Sequence, residues 1–420
     1  VDVAMMDVET FRQEARSWLD ANMARRDPLD DRLNRTIEEW TPEYLAEQRV
    51  LQKRLHEGGY AGISWPEKYG GRGLTAAHDQ AFVEEAREFA MPDFGVAGGT
   101  THMVCMPTIL QHASEDFLFR HVPKVLDGEE LICQFFSEPE AGSDLAGVRT
   151  RAERDGDRWI LNGGKIWSSG AYYSQYGMCL ARTNWDVPKH RGLTWFLVPV
   201  DAPGVTIQRI HQINGNSEFC QEFFDDVVLT DDDVIGEVDH GWRVTQTMLV
   251  YERGGGRPTV LKPTSDSKLP ADMVDLIRRV DRTDDPVARQ LVARAAITDF
   301  AQACLGARIA TKFKQGALDA ALAGYVKLAH GIYDPIRGRI GMEIGGAASL
   351  TWADDDPDGV SPSIGYLNGR ILSIAGGTNE MQRNAIGERV LGLPREPSFD
   401  TNKPFAEVVR NARNWSGQVG

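Results

Sequence analysis

The chain has 420 residues, 42% of them hydrophobic, 9% aromatic and 25% charged, an ordinary globular composition long enough for two or three hydrophobic cores. Its formal net charge of -15, with no block rich in Lys and Arg, argues against a nucleic-acid partner. Cys105, Cys133, Cys179, Cys220 and Cys304 stand without paired or metal-ligand spacing, so reduced thiols in a cytoplasmic protein are expected and no metal is. No apolar run approaches the ~18 residues that span a bilayer, and Val1 to Glu14 carries acids where a signal peptide would be basic.

Residues 1–129 read as helical. Phe11, Ala15, Trp18 and Leu19 recur at helical spacing. Thr41-Pro42-Glu43 supplies a capping hydroxyl, a proline in the first turn and an acid, and predicts a helix to His56 that stops at Gly58-Gly59. Pro66 to Gly73 is a turn-rich loop, followed by a helix from about Thr75 to Phe89.

The pattern changes near residue 130. Leu131 to Phe136, Arg158 to Gly163, Leu193 to Val200 and Phe223 to Leu229 read as short strands separated by Gly, Pro and Asp. From Gly241 the chain returns to helix, with stretches at Val292 to Ala310 and Gly316 to His330. Residues 262–287 read as a polar loop with one short helix. Helices, then strands, then helices predict an α+β fold with domains at 1–129, 130–239 and 240–420. A Rossmann domain is not expected, because no Gly-x-Gly-x-x-Gly follows a strand.

Two segments suggest a ligand site. In Ser137-Glu138-Pro139-Glu140-Ala141-Gly142-Ser143-Asp144, small residues leave a strand between acids. Glycine there permits close approach of backbone to a ligand, and N–H groups with the Ser143 hydroxyl suit a phosphate or a flavin edge. A structural capped turn would have the same composition. In Asn162-Gly163-Gly164-Lys165-Ile166-Trp167-Ser168-Ser169-Gly170, an aromatic ring beside hydroxyls suits a flat polar heterocycle, although a lone tryptophan is more often core.

These segments, together with Phe223-Phe224-Asp225-Asp226-Val227, Gly377-Thr378-Asn379-Glu380-Met381-Gln382-Arg383-Asn384 and Arg389-Val390-Leu391-Gly392-Leu393-Pro394, resemble the acyl-CoA dehydrogenase family in the right order over nearly the whole chain. The resemblance implies an N-terminal helical domain, a central β-barrel and a C-terminal four-helix bundle. It implies FAD between barrel and bundle, reaching a neighbouring subunit. By position, Phe136, Ser137, Gly142, Ser143, Trp167, Ser169, Thr378 and Glu380 would contact FAD, and Arg253 and Ser143 the substrate. The implied reaction is α,β-dehydrogenation of an acyl-CoA to the 2-enoyl-CoA, with electrons passing to electron-transferring flavoprotein. The backbone N–H of Gly376 would polarise the thioester carbonyl. A carboxylate made more basic by an apolar pocket would remove the α-proton.

The chain departs from the family pattern in two places. Ala375-Gly376-Gly377-Thr378 stands where most relatives read Tyr-Glu-Gly-Thr, so the usual base is a glycine. Glu252, followed by Arg253, matches the earlier helix that carries the base in isovaleryl-CoA dehydrogenase, although a solvated acid paired with arginine is the commoner fate of such a residue. The Arg-x-x-Phe-Gly segment that binds the FAD pyrophosphate across the subunit interface is not found between Arg257 and Arg308, and Met342 replaces a glutamine near the later Gly345-Gly346. A paralogous chain supplying that half, in a heterotetramer, is the simplest repair. Arg257, Lys262 or Arg278 in a homo-oligomer is the alternative. The glycines at 254–256 and 376 suggest room for a branched or steroid side chain. An acyl-CoA oxidase, a flavin monooxygenase of the same fold and a non-catalytic partner subunit are the competing readings.

Overall fold

The computed structural model describes residues 6–26, 40–252, 269–315, 323–350, 362–395, 397–398 and 400–413. Helix α1 (Val8–Asn22) buries Phe11, Ala15 and Leu19 completely, and Asp7 caps it by accepting from the Glu9 and Thr10 amides. Thr41 caps α2 (Pro42–Glu57) through the Tyr44 amide, as its sequence predicts. Helix α3 (Ala76–Ala86) starts with a reciprocal hydrogen-bonded pair, Thr75 and His78, and ends before the expected Phe89. The Pro66–Gly73 loop contains one 3-10 turn, Glu67–Tyr69.

Three helical pieces run on from one another: α4 (Gly95–Thr100), a π-helical turn (Thr101–Cys105) and α5 (Met106–His112). The buried Thr101 hydroxyl donates to the Ala97 carbonyl at 2.7 Å and accepts from the Ile132 amide at 2.8 Å, which fixes this rod to the first strand. Helix α6 (Glu115–Leu126) completes the N-terminal layer.

The strands are β1 (Ile132–Phe135), β2 (Arg151–Asp155), β3 (Arg158–Ser169), β4 (Tyr176–Arg182), β5 (Leu193–Pro199), β6 (Val205–Arg209), β7 (Phe219–Thr230) and β8 (Val234–Ile235). They form one sheet in the order β6-β7-β3-β2-β4-β5-β8, with β1 parallel to β4. This is the expected central β-domain, with β6 and β8 at the two ends of the pairing order. Strand alternation divides the side chains between two cores. Met178, Leu180, Trp195 and Leu197 join the N-terminal helices in one core. Cys179, Ala181, Phe196 and Val198 form the other with Phe135, Trp159 and Phe224. Strand β3 runs past the expected Gly163 to Ser169, because its pairing with β7 tolerates two register irregularities.

Helix α7 (Gly241–Glu252) leaves the sheet and is fastened at both ends. The buried Trp195 indole donates to the Gly241 carbonyl and the Thr245 hydroxyl, each at 3.0 Å. On the other side His112 meets Thr247 at 2.8 Å, and Gln111 donates to the Tyr251 hydroxyl. Helix α8 (Ala271–Arg279), α9 (Pro286–Lys314) and α10 (Ala323–Gly345) share a third core, with Met273, Ile277, Val292, Ala295, Ile340 and Ile344. Helix α10 continues well beyond the expected His330. Among the described residues the C-terminal region has two long helices, α9 and α10, with shorter ones, including α11 (Pro362–Asn368), α12 (Ile371–Ile374) and α13 (Asn379–Arg389), packed on α10. The last described helix, α14 (Phe405–Arg413), returns to the sheet, where the Phe405 ring lies 3.9 Å from the buried Arg182 guanidinium carbon.

Candidate active site

Glu252 is the last residue of α7, and its position follows from the anchors on that helix. Gly376 follows α12 with φ +65°, a left-handed conformation that glycine adopts at little cost. An ideal Cβ placed on Gly376 would lie 3.7 Å from Glu252 Oε1 and 3.3 Å from Lys327 Cε. The carboxylate from α7 therefore stands over the space where a side chain at 376 would begin. The buried Cys105 thiol, on the π-helical turn, is pushed up by burial first and by the Glu252 charge second. Glu252 itself is exposed in the chain, so the apolar burial expected around the base is not supplied by the described residues.

The loop carrying Gly376 is held from behind. The buried Gln382 amide donates to the Gly376 carbonyl at 3.2 Å and the Gly377 carbonyl at 3.4 Å. A Cβ on Gly377, where φ is +87°, would lie 2.8 Å from that same amide nitrogen. Thr378 caps α13 by accepting from the Met381 amide, and Glu380, in the first turn, lies 3.6 Å from Arg383. Gln382 stands in the segment that carries the family resemblance, but the sequence assigns it no role of its own. Its role depends on the fold of the loop.

The sheet gathers the other predicted residues. Phe136 packs against Trp195 with ring centroids 5.2 Å apart, and the Ser137 carbonyl accepts from the Ile166 amide at 3.0 Å. These contacts join the end of β1 to β3 and, through Trp195, to α7. Trp167 falls in the register irregularity between Ile166 and Ser168, has φ 69°, and leaves 55% of its surface exposed. A bulky residue in that conformation is an outlier that its surroundings must hold. Ser168 turns inward and donates to Glu222 Oε2 at 2.8 Å. Ser169, next along, is half-buried.

Beneath this strand lies a buried polar network that sequence reading missed. Lys165 is completely buried and donates to the Phe136 carbonyl at 3.0 Å and to Glu138 Oε1 at 2.8 Å. Burial pushes the Glu138 carboxyl up, but Lys165 and the Arg149 amide hold it below its ordinary value. Glu222 is pushed up to about 8 by burial, which outweighs the Ser168 hydrogen bond and the Lys165 charge. The alternation of β7 between Cys220 and Phe224 was the available signal, because it places an acid in a core position.

In the Ser137–Asp144 loop, Glu138 and Ala141 exchange backbone hydrogen bonds, and Gly142 and Ser143 are exposed on the turn. Nothing lies within 4 Å of a Cβ built on Gly142. Lys189 fixes the far end by bonding Asp144 at 2.9 Å and Asp400 at 2.6 Å.

These residues fit a flavin on two observations. The buried Gln134 side-chain nitrogen, two residues before Phe136, has no hydrogen-bond partner among the described residues. A buried donor without an acceptor is costly, and a ligand carbonyl or ring nitrogen would satisfy it. The Trp167 ring and the open backbone at Gly142 likewise leave room beside the same strand ends. Arg253 and the glycines at 254–256 lie outside the described residues, as do Arg257 and Lys262. Arg278 is exposed, pairs with Asp275 at 3.4 Å, and lines a cleft of about 780 Å³ between α8, α10 and α11.

Comparison with known proteins gives a consistent family. The models for "Acyl-CoA dehydrogenase, N-terminal domain" and "Acyl-CoA dehydrogenase, middle domain" match residues 7–129 and 133–227. The acyl-CoA dehydrogenase IpdE1 of Mycobacterium tuberculosis is 38% identical over 401 residues, covering 93% of this chain and 99% of that protein. Among solved structures, the Tcur3481-Tcur3483 steroid ACAD has TM-score 0.71 at 26% identity, covering 93% of this chain and 100% of that one. The ChsE4-ChsE5 complex from Mycobacterium tuberculosis has TM-score 0.69 at 26% identity, covering 94% and 100%. The α+β architecture, the quoted motifs and these matches together show that the chain belongs to the acyl-CoA dehydrogenase family, a family of flavoprotein oxidoreductases.

Proposed function

We propose that this chain oxidises a bulky acyl-CoA thioester to its 2-enoyl-CoA with Glu252 as the general base. One observation carries the reading: Glu252 Oε1 is 3.7 Å from the Cβ position of Gly376, the residue that replaces the family's usual glutamate. A carboxylate reaching the same point from α7 can address the same α-carbon.

The reaction removes two hydrogens. Glu252 takes the α-hydrogen as a proton, and the electron pair of that C–H bond becomes the new α,β double bond. The Gly376 N–H donates to the thioester carbonyl and stabilises the charge that develops there. Gln382 keeps that N–H aimed by holding the Gly376 and Gly377 carbonyls. A bound FAD would supply the acceptor for the β-hydrogen, which leaves as hydride. Phe136, Ser137, Gly142, Ser143, Trp167, Ser169, Thr378 and Glu380 are the residues proposed to hold it. Glu252 is exposed in the free chain, so bound ligand has to bring the desolvation that makes a carboxylate more basic.

Electrons would leave to electron-transferring flavoprotein. A paralogous chain completing a heterotetramer fits the absence of an Arg-x-x-Phe-Gly segment, and two similar structures are named for pairs of chains. A ring-bearing acyl group fits the missing side chain at 376 and the steroid named for one neighbour. The test is anaerobic mixing of the flavin-loaded protein with a panel of CoA esters. Flavin bleaching with an enoyl product lacking two hydrogens supports the reading. Bleaching by none of the branched, ring-bearing or straight-chain esters contradicts it.

A further inference from the structure

Lys327, on α10, also reaches the candidate site. Its ammonium donates to the Leu372 carbonyl in α12, four residues before Gly376. Its Cε is 3.3 Å from the Cβ position of Gly376, so Lys327 and Glu252 both reach within 4 Å of one point. The surrounding contacts fix the arrangement. Ser373 donates to the Gly331 carbonyl at 2.7 Å, and Asn379 donates to the same carbonyl at 3.2 Å. Gly331 lies one helical turn beyond Lys327, and a Cβ there would fall 2.0 Å from Asn379 Oδ1. The face of α10 from Lys327 to Gly331 is thus docked tightly against the loop that presents Gly376.

We propose that Lys327 is a positioning residue for proton abstraction, placing a fixed positive charge beside the Glu252 carboxylate and tying the Gly376 loop to α10 through the Leu372 carbonyl. The inference rests on Glu252 being the base. A nearby opposite charge favours the ionised carboxylate, which is the form that accepts a proton. Ligand binding strengthens the effect, because excluding water lowers the local dielectric. The carbonyl anchor does separate work: it satisfies an acceptor in a four-residue helix that has few internal partners.

Other titratable groups around the pair are few among the described residues. Helix α7 contributes Tyr251, the π-helical turn contributes Cys105, and α10 contributes His330, whose Nδ1 lies 3.6 Å from Asp334. The Tyr251 hydroxyl and the Cys105 thiol are both pushed above their ordinary values by burial. His330 is raised by Asp334 and lowered by burial and by Lys327. Glu380 on α13 faces Arg383.

The experiment is the pH profile of kcat/KM for Lys327→Met, Lys327→Gln and Lys327→Arg, using the CoA ester that the wild-type complex turns over fastest. A second readout is exchange of the ester's α-proton in deuterium oxide with the flavin held reduced, where hydride transfer is blocked. In both, the acid limb of the Met and Gln variants should move to higher pH, lowering the rate on that limb by ~10-fold or more, and Arg should restore the wild-type limb. An unmoved limb with a uniformly lower rate would overturn the charge role and leave Lys327 a backbone anchor. Unmoved limb and unchanged rate would remove any role. Failure of the base assignment reads differently: Glu252→Gln would then keep α-proton exchange whatever residue stands at 327. Melting curves of the three variants identify any that do not fold, and the Arg variant preserves both the charge and the donor.

Discussion

The Glu252 carboxylate, at the end of one helix, borders the space that Gly376 leaves empty on another segment, with Oε1 3.7 Å from the position of the missing Cβ. Residues 124 positions apart in sequence are brought together by α7 being pinned to Trp195, His112 and Gln111, and by the Gly376 loop being pinned to Gln382.

Gly376→Ala should therefore cost more than the volume of a methyl group suggests. At φ +65° a side chain is strained by about 1–2 kcal/mol, and the methyl would press on Lys327 Cε. The expected result is a lower melting temperature with flavin reduction slowed and CoA-ester binding weakened. The same strain limits a glutamate placed at 376 to partial rescue of a Glu252→Gln background. Differential scanning calorimetry with stopped-flow bleaching measures both. A Gly376→Ala protein as stable and as fast as wild type would show that the loop relaxes freely.

Glu222 predicts a distinct pH dependence of stability. Its folded value of about 8 lies above the ordinary 4.5, so the folded state holds a proton that the unfolded state releases between those limits. The favourable contribution of the protonated acid is full below about pH 4.5 and is lost as pH rises to about 8. Glu222→Gln keeps an acceptor for Ser168 and cannot ionise. Its melting temperature relative to wild type should climb from pH 5 to pH 8 and then level off. A constant difference across that range would mean Glu222 ionises normally.

Much of the fold was legible locally. Thr41-Pro42 marked a helix start and the runs around β1, β5 and β7 marked strands, because caps and alternation are written in adjacent residues. The site was legible as segments rather than as an arrangement. The family resemblance implies Trp167 beside a flavin but gives no hint of its φ of 69°, which comes from a register irregularity in the β3–β7 pair. Ser168 and Glu222 are 54 residues apart and meet only through that pairing. Lys327 reaches the site because α10 docks on α12, a tertiary fact with no local signature. Glu252, the last residue of α7, is exposed in the free chain, and residues 253–268 that follow it lie outside the described residues.

The partner reading predicts weak flavin retention by this chain alone. Arg278, the one described candidate for the missing arginine, is exposed and already paired with Asp275. Co-expression with a related chain carrying Arg-x-x-Phe-Gly should give a yellow complex with about half the flavin of a homotetramer, as sites shared across unlike interfaces require. Absorbance at the flavin band against protein mass decides it. A lone, fully flavinated homo-oligomer would contradict the prediction.

The central claim is tested most directly by Glu252→Gln, assayed for anaerobic flavin bleaching by the best CoA ester. The variant removes the base while keeping shape and hydrogen-bonding capacity. Flavin content and ester binding should stay near wild type, and bleaching should slow by ~10²–10⁴-fold or more. Bleaching at close to the wild-type rate would contradict the assignment and return the question of the base to another residue.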